Sequence, residues 1–142
     1  MTATREQIIA GAREWIGTPW HHQARKKGVG SDCIGLFVGV LRELGQPVKD
    51  VTWYRRAPEG DALLAELEAR FWYDVEPGAG SLLVFFIQRR QVAQHVGLLT
   101  ADGTIIHANA AARRVCEQAY DAEWQRRTLC AYDLTRPKGG PA

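Results

Sequence analysis

The sequence predicts an α+β domain in which N-terminal helices pack on one face of an antiparallel β-sheet. Three observations predict it. Apolar residues recur at helical spacing through the first half of the chain, and short apolar runs divided by turn residues fill the second half. The change of texture falls at P-G-A-G, residues 77–80.

The first helix opens at Thr4, where Gln7 three residues on completes a capping box. Ile8, Ile9, Ala12, Trp15 and Ile16 form its apolar stripe, and Gly17 and Pro19 end it. A glycine-studded loop, W-H-H-Q-A-R-K-K-G-V-G, leads to S-D-C-I-G-L at 31–36. The second helix carries Cys33, Leu36, Phe37, Val40, Leu41 and Leu44 on one stripe and stops at Gly45 and Pro47. Leu63, Leu64, Leu67 and Phe71 mark a third helix. Ser81 to Ile87 is a continuous apolar run suited to a buried strand, and 93–100, 104–108, 113–119 and 128–134 read as further strands. No internal repeat or low-complexity segment interrupts this order. A single domain is expected over residues 1–136, with a frayed tail, P-K-G-G-P-A, at 137–142.

At 142 residues the chain can bury a core of its own. A net charge of +2 is too small to mark a nucleic-acid binder. The arginine pairs at 55–56, 89–90, 113–114 and 126–127 read as solvated loop and edge positions. No stretch reaches the length of a membrane span. The segment M-T-A-T-R-E-Q-I-I lacks the basic and apolar regions of a signal peptide, so synthesis in the cytosol is expected. Any action elsewhere would need a carrier other than an encoded signal. Three cysteines, Cys33, Cys116 and Cys130, argue by odd count and wide spacing against a disulfide scaffold. They leave room for one free thiol with a purpose.

Cys33 is the candidate. Ser31 or Asp32 is a good N-cap, which puts Cys33 in the first turn of its helix. Unpaired backbone N–H groups and the positive helix end favour a thiolate there, below the ordinary thiol pKa of about 8.5. The same N–H groups could stabilise an oxyanion, and Gly35 would keep the approach to the sulfur open. The other reading is a cysteine on the core stripe, a common fate for this residue. Cys116 and Cys130 lie in strand-like runs and read as inert core residues.

A thiolate nucleophile needs a base. His21 and His22 lie in the loop before Cys33, whereas His95 and His107 occupy apolar strand-like runs where a lone histidine is commonly a satisfied core residue. The hairpin between them decides whether they form a unit. A two-residue loop, Asp102-Gly103, would set His107 opposite Leu98, and the two rings would project from opposite faces. A three-residue loop, Ala101 to Gly103, sets His107 opposite Gly97, diagonal to His95 on the same face. Diagonal neighbours lie roughly 7–8 Å apart at the backbone, within reach for two imidazoles. Gly103 stands where the common three-residue turn needs a left-handed residue, which favours this register. The triad expected is Cys33 as nucleophile, His95 as base and then acid, and His107 as the group that orients His95.

G-T-P-W-H-H-Q, then D-C-I-G-L, Q-H-V-G-L-L and I-I-H-A, resemble the NlpC-type family of papain-like cell-wall peptidases, and are most similar to members carried by phages and gene-transfer agents. The resemblance spans roughly residues 8–110. It implies a papain-like cysteine peptidase fold with Cys33 at the head of a helix packed on a sheet that bears His95 and His107. It implies hydrolysis of peptidoglycan stem peptides, commonly at the γ-D-glutamyl–diaminopimelate bond, with no metal and no organic cofactor. It also implies hub or tip proteins of a phage or gene-transfer-agent tail as partners. Delivery of such an enzyme to the periplasm and cell wall by the particle would explain a wall enzyme without a signal peptide. Trp20 stands where many relatives carry tyrosine near the nucleophile, and Ile34 where they often carry serine. Trp20 and Asp32 are the residues expected to touch substrate, Asp32 with helix capping as its other role.

Three rival readings remain open. Cys33, His95, His107 and His22 offer the ligand types of a zinc site, without the close spacing such sites usually show. A papain-like domain could also persist as a catalytically inactive structural tail component. A third rival keeps the chemistry and changes the acceptor, giving an acyltransferase or an amidase of another small amide.

Overall fold

The computed structural model describes residues 2–46, 48 and 59–138. Pro47, the Arg55-Arg56 pair and the tail from 139 onward lie outside the described residues.

Helix α1 spans Arg5–Arg13, with the predicted capping box formed by Thr4 and Gln7 in both directions. Its end comes earlier than the stripe suggested: Trp15 is buried but Ile16 is 46% exposed. Two short strands, β1 (Arg25–Lys26) and β2 (Gly30–Ser31), form a small antiparallel pair within the glycine-studded loop. Helix α2, Cys33–Glu43, follows directly, capped by Asp32. It is buried continuously from Cys33 to Leu41 rather than along one stripe. That suits a helix enclosed by the sheet on one side and by α1 and the loop on others. Trp15 donates its indole N–H to Glu43 at 2.7 Å, pinning the chain after α1 to the far end of α2.

Helix α3 covers Asp61–Arg70, and Phe71, read as its last apolar residue, instead opens strand β3, Phe71–Tyr73. The remaining strands are β4 (Ser81–Phe85), β5 (His95–Leu99), β6 (Thr104–Asn109), β7 (Arg114–Ala119) and β8 (Thr128–Pro137). Between β7 and β8 lies a short helix, α4, Ala122–Arg127, which the periodicity did not reveal. Strand β8 runs to Pro137, and the Lys138 ammonium sits 3.8 Å over the Trp72 ring.

The six strands pair antiparallel in the order β3-β8-β4-β5-β6-β7. Side-chain alternation divides them between two cores. Leu82, Val84, Val96, Leu98, Ile106, Ala108 and Tyr132 join the main core with α1, α2 and α3. Leu83, Phe85, Ile105 and Ala131 point the other way and are joined there by Trp124 of α4. The fold is thus α+β with three helices over one face, as expected, and a small unexpected layer over the other.

The outer side of β7 is not bare. Gly17 donates its N–H to the Val115 carbonyl at 2.9 Å, Val115 donates to Thr18 at 2.8 Å, and Trp20 donates to Arg113 at 2.9 Å. Residues 17–20 therefore run along that edge before the chain enters the loop to Cys33. The arginines at 89, 126 and 127 meet acids, with Arg89–Glu59 at 2.6 Å, Arg126–Glu123 at 2.8 Å and Arg127–Glu123 at 3.0 Å.

Candidate active site

The loop between β5 and β6 has the three-residue register. Leu98 pairs with Ile106 and Leu99 with Ile105, and Thr100 donates its N–H to the Thr104 carbonyl across the turn. Gly103 takes φ +73°, the left-handed conformation the turn requires. His95 and His107 consequently share the face opposite the main core. His95 Nε2 lies 2.7 Å from His107 Nδ1, with the ring centroids 4.9 Å apart and the planes at 70°.

The antiparallel order brings the end of β4, the start of β5 and the end of β6 to one end of the sheet. The N-terminus of α2 reaches the same end. A cavity of about 510 Å³ opens there, lined by Cys33, His95, His107 and Trp20 among others. Gln88, Gln94 and Asn109 add amide groups, and Ile87, Ala108 and Trp124 add apolar wall. Trp20 is held in place by backbone pairing on both sides, its neighbour Pro19 accepting from Ser31 N–H at 2.9 Å.

Asp32 is not among the cavity-lining residues. It is 1% exposed, and its two oxygens accept from the N–H of Gly35 at 2.7 Å and of Gln23 at 2.8 Å. The Arg25 guanidinium stands 3.7 Å away. Of its two expected roles, the structure displays the capping one. Ile34 is likewise in the main core at 3% exposure, so the departure from serine falls away from the cavity wall. Gly35 does not keep an approach open: a Cβ there would come 2.2 Å from the Ala24 carbonyl oxygen. Its role is to let the preceding loop lie against the first turn of α2.

The electrostatics also correct an expectation. Cys33 is 5% exposed, and its thiol is pushed up to about 12, first by burial and then by the neighbouring Asp32 carboxylate. The N–H groups of Ile34 and of Cys33 itself do favour the thiolate, as does Arg25. Burial outweighs them, because a helix end supplies only about 0.3–2 kcal/mol whereas full burial moves a pKa by several units. His95 is driven down to about 3, by burial first and then by the neighbouring His107 ring. Burial lowers His107 as well, against the opposing pull of its bond to Gln118. The thiol and both imidazoles therefore rest neutral.

Four residues near the histidines were not assigned to the site by the sequence. Trp124 sets its ring edge-on to His107 at 5.2 Å and to Phe85 at 4.9 Å, and lies 6.3 Å from His95. Arg127 stacks over the same indole at 5.4 Å and lines the cavity. Gln118 accepts at 2.7 Å from His107 Nε2, and Cys116 Sγ lies 3.6 Å from that nitrogen. Cys116 is thus no inert core residue: it is half-buried and beside the imidazole pair, with its own thiol pushed up by burial. Sequence signals existed, since Asp121 three residues before Trp124 is an N-cap and Cys116 and Gln118 alternate on one strand face. Among the described residues no group of three or more His, Cys, Asp or Glu is placed to hold a metal ion, and His22 does not line the cavity.

Comparison with known proteins adds to this geometry. The family model described as NlpC/P60 family matches residues 17–133. No curated protein sequence matches the chain. Among solved structures, the NlpC/p60 domain of the peptidoglycan hydrolase SagA is 21% identical with a TM-score of 0.59, covering 92% of this chain and 99% of that domain. An NlpC/P60 family protein from Bacillus cereus is 20% identical with a TM-score of 0.68, over 95% of this chain and 41% of its own. The P60 domain of an antigen from M. avium subspecies paratuberculosis is 17% identical with a TM-score of 0.57, over 93% of this chain and 95% of its own. These likenesses establish a common fold.

Proposed function

Because the chain belongs to the NlpC/P60 family, we propose that its cavity is the active site of a cysteine peptidase that hydrolyses peptidoglycan stem peptides. The observation that carries the proposal is the shared cavity. Cys33 and His95 line it together, and His95 is fixed from behind by the 2.7 Å bond to His107.

With Nε2 engaged by His107, the free nitrogen of His95 is Nδ1. As the peptide enters, Nδ1 takes the proton of the Cys33 thiol while the sulfur adds to the scissile carbonyl. The N–H groups of the first turn of α2 meet the oxyanion. His95 then gives its proton to the departing amine, leaving a thioester on Cys33. Water, deprotonated by the same nitrogen, attacks the thioester; the acid leaves, and the proton returns to the sulfur. A resting neutral pair suits this sequence, since the thiolate forms only when a carbonyl is there to receive it.

The motif set supports a finer reading, with cleavage between γ-D-glutamate and diaminopimelate. Under it the chain is carried on the tail of a phage or gene-transfer-agent particle, bound to hub or tip proteins, and opens the wall for DNA entry. The test is incubation with purified peptidoglycan, wild type beside Cys33→Ala, with mass analysis of the released fragments. Release by wild type alone, ending at γ-D-glutamate, is expected. No release from walls of several bacterial types overturns the hydrolase reading and leaves the inactive tail component and the acyltransferase or small-amide amidase in its place. Release by the alanine variant overturns the assignment of the nucleophile.

A further inference from the structure

The His95–His107 bond can run in either direction, and only one leaves His95 a base. If His95 donates from Nε2, its Nδ1 is left with a bare lone pair. If His107 donates from Nδ1, the His95 proton must sit on Nδ1, and the base is lost. Both rings are held neutral by burial, so one proton on each must be placed.

The choice is made beyond His107, outside the cavity. Gln118 presents its carbonyl oxygen, Oε1, to His107 Nε2 at 2.7 Å. An acceptor there requires the His107 proton on Nε2. His107 Nδ1 is then an acceptor, and at 2.7 Å it must take its hydrogen bond from His95 Nε2. Cys116 Sγ lies 4.0 Å from the same Oε1 and 3.6 Å from His107 Nε2, so with Nε2 protonated the sulfur faces the ring N–H and the thiol proton is free for the amide oxygen. The strand register sets these neighbours, with Cys116 opposite His107 and Gln118 opposite Ile105, all on one face of the sheet.

We propose that Gln118 is a positioning residue that fixes, through His107, the tautomer in which His95 can act as a base. The proposal rests on the peptidase reading for its consequence, though not for its physics: the tautomer exists whether or not a substrate is known. A relay of neutral groups needs such an anchor, because it has no carboxylate whose charge would settle the direction. Gln118 does not touch substrate and acts only through the ring between.

The test uses ring-nitrogen NMR of the histidines at neutral pH, read beside peptidoglycan hydrolysis, for wild type, Gln118→Glu and Gln118→Met. Wild type and Gln118→Glu, which both keep an acceptor, are expected to show His95 and His107 protonated on Nε2. Gln118→Met should give a mixture at both rings and lower kcat by about tenfold with KM unchanged, in line with other losses of outer support for a working imidazole. A His95 signal unchanged in Gln118→Met overturns the proposal, as does a wild-type His95 protonated on Nδ1. If no variant, wild type included, hydrolyses any wall, the peptidase reading fails alone and the NMR outcome still decides the role of Gln118. Should Gln118→Met not fold, Gln118→Glu with an Nδ1-protonated His95 would overturn it by itself.

Discussion

His95 Nε2 stands 2.7 Å from His107 Nδ1 because Thr100 stays opposite Thr104, which sets His107 opposite Gly97. The ring-to-ring bond is a consequence of register.

Deleting Ala101 should shorten the turn to Asp102-Gly103 while Thr100 stays opposite Thr104, so His107 stays opposite Gly97 on the face of His95. Peptide release is therefore expected to persist, with circular dichroism keeping the signature of the sheet. Loss of release with that signature intact would show that the length of the turn, and not the cross-strand pairing, places the rings. Gly103→Ala should leave activity intact and cost about 1 kcal/mol in urea unfolding, the penalty of a side chain at positive φ. The added Cβ meets nothing within 4 Å, so no contact term obscures the measurement.

Alkylation of Cys33 by iodoacetamide should climb nearly tenfold per pH unit from 7 to 9, because the buried thiol is pushed up to about 12. A plateau below pH 7 would reveal a resting thiolate–imidazolium pair instead. Asp32→Asn removes the charge that raises the thiol after burial does, so its labelling curve should move to lower pH. The same variant should lose about 1 kcal/mol, since asparagine caps the helix but meets Gln23 and Arg25 less well.

Stability should fall as the solution is acidified below about pH 6.5. His95 has an ordinary pKa of 6.5 when unfolded and about 3 in the fold, so between those values the unfolded chain binds more protons. Protonation therefore favours unfolding throughout that window, and the contribution is fully present only above 6.5. A loss on the order of 2 kcal/mol by pH 4 is expected, from about 1.4 kcal/mol per unit reduced for the ring's access to the cavity. His107 adds to it in the same direction. Denaturant midpoints measured from pH 4 to pH 7 check this, and His95→Gln should flatten the slope.

Trp124→Ala should expose the imidazole bond to water and weaken hydrolysis by about tenfold or more, whereas Trp124→Phe keeps an aromatic edge and most of the rate. Equal rates in all three would mean that the indole only fills space.

Much of this could be read from the chain. The capping box at Thr4, the continuous burial of Ser81 to Phe85 and the left-handed Gly103 are local signals with local causes. The pairing of His95 with His107 followed from them by counting. What stayed hidden depends on distant neighbours. Gly35 serves the Ala24 carbonyl, which no spacing reveals, and the pKa of Cys33 turns on how deeply α2 is enclosed. Gln118 reads as an ordinary strand residue until β7 is laid beside β6. Helix α4 is a six-residue turn whose periodicity is too short to register.

The edge of the sheet beside β7 would be a template on which another chain's strand could add. Residues 17–20 occupy it, and the last of them is Trp20, which continues into the cavity wall. One short segment thus covers an edge on which a further strand could pair and supplies part of the cavity wall. Mutations that loosen it would carry a double signature, cloudiness in concentrated solution together with slack substrate handling, and selection against either would preserve both.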